Sequence, residues 1–529
     1  MTENPFTQAD LEQMKGLGIT EDKARRQLAI LAKGPRWADL VRPCTPGDGI
    51  VKLDPEDEKR FISRWQGGAD DGRLSTFVPA SGAATRMFAF LQRIRNEVDK
   101  VTLDRTAEIF GRTSDDYREF RVFVKSLEEF AFFEPLAEAM GGAGISLQEK
   151  LQLGVYNDIL DFLLEPRGLN YTSLPKGLIP FHRYADHYRT AMEEHLVESV
   201  RTVKNQKKEL CRVHFTVAPE NQAEMEAHGR EAAAKYSEHL GVEYEISFSI
   251  QSPATNTLAV DLKNRPFRQS DGRLLFRPGG HGALLQNLNQ LKGDIVLIKN
   301  IDNVVTDERR DLVVFHQRIL TGMLLEVQDD IYKYLTLLSS GSFHANDLQE
   351  VLDFVVQRLN PSVGEHLGTW GEKEKVAGIF RLLNRPLRVC GMVVNKGEPG
   401  GGPFWVKDAS GRLSLQVVEQ AEIDRNSPEQ VAILEASTHF SPVQIVCGLR
   451  DFQGQPFDLN RFADPEAVFV SRKTEEGKEL KALELPGLWN GGMAHWNTIF
   501  VEVPEETFNP VKTINDLLRP GHRSGPQRH

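Results

Sequence analysis

The stretch FVPASGAATRMFAFL, Phe77 to Leu91, decides how the rest of the chain reads. A short apolar strand enters a turn of small residues and a Thr-Arg pair. Beyond it Met87, Phe90, Leu91, Ile94 and Val98 recur at helical spacing. Strand, tight turn and helix start together present aligned backbone N–H groups, an arrangement that suits a phosphate. The turn holds one glycine, Gly82, and no Gly-Lys-Ser/Thr follows it. Alone, the stretch reads first as a plain corner between a strand and a helix.

Working outward, RVHFTVAP, YEISFSI, DIVLIKNID and LRVCGMVV repeat the β-branched texture of LSTFV, with helical runs between them. That alternation predicts an α/β fold with a largely parallel sheet. Residues 1–73 read as an N-terminal helical segment, with EDKARRQLAILAKG closed by Gly34 and Pro35. Residues 74–385 read as the α/β core, carrying a helical insertion over 92–170. Residues 386–518 form a second half of short strands and glycine turns, and 519–529 a polar, disordered tail.

With 529 residues the chain has ample length for a large core. Its 64 basic and 75 acidic residues give a net charge of −11, which argues against a general nucleic-acid binder. Cys44, Cys211, Cys390 and Cys447 are widely spaced and read as free thiols of a reducing compartment. No apolar run approaches the roughly 20 residues that span a bilayer. MTENPFTQADLEQMKGLG has neither the basic start nor the apolar centre of a signal peptide. The expectation is a cytoplasmic protein without nucleic-acid or membrane partners; its oligomeric state is unreadable.

Four further stretches carry chemistry. In SLPKGLIPFH, Pro175 and Pro180 stiffen a loop that presents Lys176 ahead of an expected helix, YADHYRTAMEEHL; the ammonium suits a phosphate, and a solvated lysine is the plain alternative. In FRPGGHGALLQNLNQL, Gly279, Gly280 and Gly282 remove every Cβ from one side of a turn that carries His281, so a base or ribose could approach; a bare turn before a helix is the alternative. DIVLIKNIDNVV ends an apolar strand in Asp302, where ligands of open α/β sheets bind, and a carboxylate there suits Mg2+ or a helix cap. The last third places Glu419, Asn490 and Asn497 beside apolar strands, a glycine run over Gly397–Gly402 that reads as a hairpin loop, and Lys512 before a short helix.

In this order the stretches resemble the sugar-nucleotide pyrophosphorylases, nucleotidyltransferases nearest the UDP-glucose and UDP-N-acetylhexosamine type. Residues 80–87 are similar to the family's G-x-G-T-R-like triphosphate loop. LPKGLIPF looks like its Pro-Lys-x-Leu element, displaced by the insertion. PGGHG is similar to its nucleoside-facing P-x-G-H/N-G, KNIDN to its metal-bearing Asp, QVVEQAEID and WNGGMAHWNTIFVEV to its sugar pocket, and FNPVKTINDLL to its F-x-P-V-K pattern. Two glycines of the loop pattern are replaced, by Ser81 and Ala84, and the insertion is atypical.

The resemblance implies a nucleotide-diphospho-sugar transferase fold, GT-A-like and Rossmann-like, with a mixed, mostly parallel sheet flanked by helices. It implies Mg2+ on Asp302, with a nucleoside triphosphate, UTP by likeness, and a sugar 1-phosphate as partners. Arg86, Lys176 and Lys512 would act on the phosphates, and Ser81, Gly82, Ala83 and Thr85 would wrap the triphosphate. Gly279, Gly280, His281 and Gly282 would face the nucleoside, and Glu419, Asn490 and Asn497 the sugar. A binding protein that has lost catalysis, favoured by Ala84, and a glycosyltransferase, disfavoured by the lack of an Asp-x-Asp, are the competing readings. The base and the sugar are not specified.

Overall fold

The computed structural model describes residues 5–34, 36–82, 84–363, 371–397, 400–475 and 477–524. By its contacts the chain forms two units, Met1–Ser75 with Gln251–Ile298 and Gln317–Glu505, and Thr76–Ile250 with Lys299–His316 and Glu506–His529. This partition crosses the expected boundaries at 385 and 386, because early and late segments pack together.

In the first unit the strand Leu387–Val394 is buried along seven of its eight residues, as a run of apolar side chains must be when both faces are covered. It pairs in parallel with Asn497–Glu502, Leu387 opposite Asn497 and Gly391 opposite Val501, and that strand pairs in parallel with Gly49–Val51. On its other side Gln444–Gly448 runs antiparallel. Two smaller antiparallel sheets complete the unit. One orders Leu40–Pro43, Gly401–Lys407 and Leu413–Glu419, the other Phe276–Arg277, Thr257–Val260, Lys478–Glu484 and Phe469–Glu475.

The second unit contains the opening motif. Leu74–Pro79, Leu210–Val217 and Glu243–Ile250 are parallel, with Thr76 opposite Val213 and Leu210 opposite Glu243. The helices Ala191–Thr202 and Gln222–Leu240 belong with them. The expected helical insertion is present as successive short helices between Ala89 and Leu164, several opened by a serine or threonine cap, as at Thr102, Ser114 and Ser146. Phe120, Phe123, Phe130 and Phe132 are fully buried there, with the Phe130 and Phe132 rings stacked at 4.9 Å. Both units are thus α/β, with mostly parallel central strands and helices.

Several expectations are corrected. The segment 1–73 is not only helical, because Leu40–Pro43 and Gly49–Val51 find partners some 360 to 450 residues downstream. The helix expected from Tyr184 begins only at Ala191, where Thr190 and Glu193 form a reciprocal capping box, and Pro180–Arg183 and Tyr188–Thr190 form a hairpin instead. Gly401 and Gly402 are strand residues, not loop. The tail 519–529 is ordered as far as Ser524, with His522 buried at 3% exposure; 525–529 lie outside the described residues. All four cysteines are buried and free. Among the described residues no helix is long and apolar enough to cross a membrane.

Packing in the first unit tolerates no side chain at Gly322, within the helix Asp307–Ser340. A Cβ there would stand 1.8 Å from the Phe61 carbonyl oxygen, a backbone atom that cannot swing aside. Gly322→Ala is expected to cost about 3 kcal/mol or more, read as a lower urea midpoint at unchanged slope. An unchanged midpoint would contradict this close approach.

Candidate functional site

The second unit draws four separated stretches together. Ala80 leaves its strand with its N–H donating to Thr216 O at 3.0 Å. Ser81 is half-buried and Gly82 exposed, and Ala83 lies outside the described residues. Ala84 to Arg86 form a right-handed 3-10 turn in which Ala84 is fully buried. The Ala84 N–H donates to Leu174 O and the Thr85 hydroxyl to Thr172 O, each at 3.2 Å, so this loop is fastened to the loop bearing Lys176.

Lys176 opens its own short turn, and its ammonium donates to Asp302 Oδ2 at 2.6 Å and to Val511 O at 2.7 Å. Val511 N–H in turn donates to Asp302 O, and Ile514 N–H to Met87 O. The next residue, Lys512, and Thr513 both donate backbone N–H groups to Asp516 Oδ2, which fixes the turn while the Lys512 side chain stays exposed. Arg86 is exposed too, and among the described residues neither Arg86 nor Lys512 has an ion-pair partner. The result is a patch of unspent positive charge around one half-buried carboxylate.

Asp302 is supported from below. His195 is buried, and its Nε2 donates to the carbonyls of Asn300 and Ile301 at 3.1 and 3.2 Å, which fixes the tautomer. Burial, with Lys299 near, pushes the His195 pKa down to about 4, so the ring is neutral at pH 7. Asn303 Oδ1 accepts the Asn509 N–H at 2.8 Å, tying the Asp302 turn to the segment that carries Lys512. Among the described residues no group of three or more His, Cys, Asp or Glu could hold a metal. One carboxylate fits a Mg2+ whose remaining ligands are phosphate oxygens and water, not a metal caged by protein alone.

In the first unit the turn Pro278–Gly282 carries the other candidates. A Cβ on Gly279 would meet Thr255 O at 2.7 Å, on Gly280 Glu484 Oε2 at 2.9 Å, and on Gly282 Pro486 O at 2.2 Å. The bare side of this turn is therefore filled by the chain itself, which corrects the reading that glycine clears room there for a base. Gly280 also has φ +71, where side chains are disfavoured.

His281 stacks on Trp489 with ring centroids 4.3 Å apart. Its Nδ1 accepts the Leu488 N–H at 3.1 Å, so Nε2 carries the proton and donates to Glu419 Oε1 at 3.2 Å. Burial would raise the Glu419 pKa, but His281, Asn490 and Trp489 hold it below its ordinary value. The fully buried Arg388 donates to Thr498 Oγ1 and to Trp489 O, anchoring the indole on which His281 rests.

Asn490 Nδ2 donates to Glu422 Oε2 at 2.8 Å, and burial pushes the Glu422 pKa up to about 7. Asn497 spends its amide on the Leu382 carbonyl at 3.1 Å, at the end of the helix Glu372–Leu383. Asn490, Asn497 and Glu422 all line a cavity of about 520 Å³, within the range of small-molecule sites.

Within the second unit, then, Arg86, Lys176, Asp302 and the Lys512 segment come together. Within the first, His281, Glu419 and Asn490 do. Glu422 and Trp489 were missed, although both stand within three residues of a named candidate and Glu422 repeats the acid of Glu419 one turn on.

A family model described as "Domain of unknown function (DUF4301)" matches residues 7–523. No curated protein matches the chain. Similar solved structures include the uridine diphosphate N-acetylglucosamine pyrophosphorylase of Trypanosoma brucei in complex with an inhibitor, at 12% identity and TM-score 0.47, covering 97% of this chain and 79% of that one. The open and closed structures of the UDP-glucose pyrophosphorylase of Leishmania major match at 12% identity and TM-score 0.43, covering 97% and 78%. Both are distant likenesses.

Glu422 generates a pH dependence. Its pKa in the folded chain is about 7, above the ordinary 4.5, so between these values the folded chain holds a proton that the unfolded chain has lost. Stability from this group therefore falls as pH rises from about 4.5 to about 7. Glu422→Gln should narrow the stability difference between about pH 5 and about pH 8 by roughly 1–3 kcal/mol, measured by urea unfolding. A variant with the parent's pH slope would show that this carboxyl is not perturbed.

Proposed function

The chain belongs to the DUF4301 family, and we propose that it is a Mg2+-dependent nucleotidyltransferase on a GT-A-like fold. It would join a nucleoside triphosphate, UTP by the resemblance of its motifs, to a sugar 1-phosphate and release pyrophosphate. One observation carries the reading: Lys176 and Asp302, 126 residues apart, meet at 2.6 Å on segments hydrogen-bonded to those that bear Arg86 and Lys512. A structural ion pair alone leaves the exposed Arg86 and Lys512, which have no ion-pair partner among the described residues, without a role; a polyphosphate gives them one.

In the reaction an oxygen of the sugar 1-phosphate attacks the α-phosphorus in line, the bond to the β-phosphate oxygen breaks, and pyrophosphate leaves. Such chemistry needs positioning and charge neutralisation more than proton transfer. Arg86 would hold the β- and γ-phosphates, while Lys176 and Lys512 would neutralise charge around the α-phosphorus. Ser81, Gly82, Ala83 and Thr85 would border the triphosphate. Asp302 would hold Mg2+, which when bound supplies further neutralisation of the phosphates. His281 would meet the nucleoside. Glu419 and Asn490 would bind sugar hydroxyls, with Asn497 shaping the pocket through the helix end that it fastens.

The test is pyrophosphate release from a panel of nucleoside triphosphates and sugar 1-phosphates, with and without Mg2+. At least one pair should turn over only with the metal. Asp302→Asn and Lys176→Met should each lower kcat/KM roughly 10²- to 10³-fold. Absence of turnover with every pair, or full activity in Asp302→Asn, would sink the proposal; triphosphate binding without turnover would leave a binding protein instead.

A further inference from the structure

The cavity of about 520 Å³ in the first unit has a feature that binding of a neutral sugar does not use. Arg381, in the last turn of the helix Glu372–Leu383, and Arg385, two residues past that helix, line the cavity wall, with Arg412 beside them. Lys407 pairs with Asp39 at 3.7 Å, Arg36 with Asp464 at 3.4 Å and Arg412 with Asp408 at 3.0 Å. Among the described residues Arg381 and Arg385 have no carboxylate partner.

Cations at the C-terminal end of a helix answer its macrodipole, and Arg385, just past that end, donates its Nε–H to Arg381 O at 3.0 Å. That contact uses one N–H of a five-donor fork and leaves the far end of the guanidinium unspent. Burial, with Arg412 and Arg381 close by, lowers the Arg385 pKa, the mark of a cation held in place without a counter-charge. Glu422, on the same cavity, is part-protonated near neutrality and compensates little. Trp37, 41% exposed, and Gln416 also line the cavity, an aromatic face and an amide of the kind that meets a pyranose.

We infer that this cavity takes a sugar bearing an anionic group of its own, a carboxylate or a phosphate away from C1, gripped by Arg381 and Arg385. The inference rests on the reading of Asn490 and Asn497 as residues of the sugar pocket, and it names the class of sugar: an acidic one. A forked guanidinium matches both anions in the same bidentate way, so the two chemistries are separated by experiment.

The experiment is calorimetric binding to the full chain, without nucleotide, of glucuronic acid 1-phosphate, glucose 1,6-bisphosphate and glucose 1-phosphate. At least one of the first two should bind roughly tenfold or more tightly than glucose 1-phosphate, and whichever does so identifies the anion. Arg381→Gln, an exposed side chain with no capping role, should remove most of that preference. Arg385→Lys, which keeps the charge but not the fork, should reduce it. Equal affinity for all three ligands, or a preference that survives both substitutions, overturns the inference. Turnover with neutral sugar 1-phosphates alone would overturn it while leaving the proposed reaction standing. Selective binding of an acidic sugar without turnover in any nucleotide panel would uphold the cavity and sink the reaction.

Discussion

The helix Ala191–Thr202 is buried on every side, yet it carries Glu193, Glu194, His195 and Glu198 into the interior of the second unit. A charge taken out of water needs a partner and further hydrogen bonds, and a single unmatched one costs several kcal/mol. The surrounding segments are placed to meet that need. Glu198 holds Lys299 at 2.6 Å, both buried, at the end of the strand that leads to Asp302. Glu194 accepts from His182, Tyr184 and Arg310. Burial alone would raise its pKa, but His182, Arg310 and Arg189 together hold it well below the usual carboxylate range. His182 also bonds His522, so the C-terminal segment that carries Lys512 closes onto the same network.

Such pairs need not add to stability compared with apolar side chains of the same volume. What they do add is geometry. Hydrophobic packing around this helix would tolerate small slides; a carboxylate with three fixed donors does not. Removing one partner strands the others in a low-dielectric interior, so the hairpin at 180–190, the Asn300–Asn303 turn and the segment 509–522 are tied to one arrangement. The positions of Lys176, Asp302 and Lys512 follow from polar contacts two layers beneath them.

The parallel strands were legible because each is a run of apolar and β-branched residues bounded by turn signals, as at 74–79, 210–217 and 387–394. The strands Leu40–Pro43 and Gly49–Val51 were not, being too short for any period and dependent on partners hundreds of residues away. The helix after Lys176 was expected, but not its burial, because the acids of MEEHLVESV carry no sign of the segments that fold around them. That the segments of Lys176, Asp302 and Lys512 come together was anticipated only through the likeness of their short motifs to a family, not from their spacing in the chain. Arg381 and Arg385 have no such motif, and a helix end rich in arginine is accounted for locally before any ligand is considered. The glycines of PGGHG were read as clearing one side of the turn for a base or ribose, but that side is filled by Thr255, Glu484 and Pro486 of the chain itself.

The same accounting resolves what Ala84 does in place of a glycine. A loop that grips phosphate through its backbone needs free N–H groups and, commonly, a left-handed residue. Here the turn is right-handed, Ala84 is buried, and its N–H is already given to Leu174 O, so alanine is a natural occupant and its own N–H is not free for a phosphate. Under the proposed function the attraction for a polyphosphate would fall on Arg86, Lys176 and Lys512. Side-chain cations act over several ångströms and do not require the backbone to fold around each oxygen, so a loop with one glycine is compatible with a phosphate site of this kind. The bonds of Ala84 to Leu174 and of Thr85 to Thr172 fasten this loop to the segment that carries Lys176.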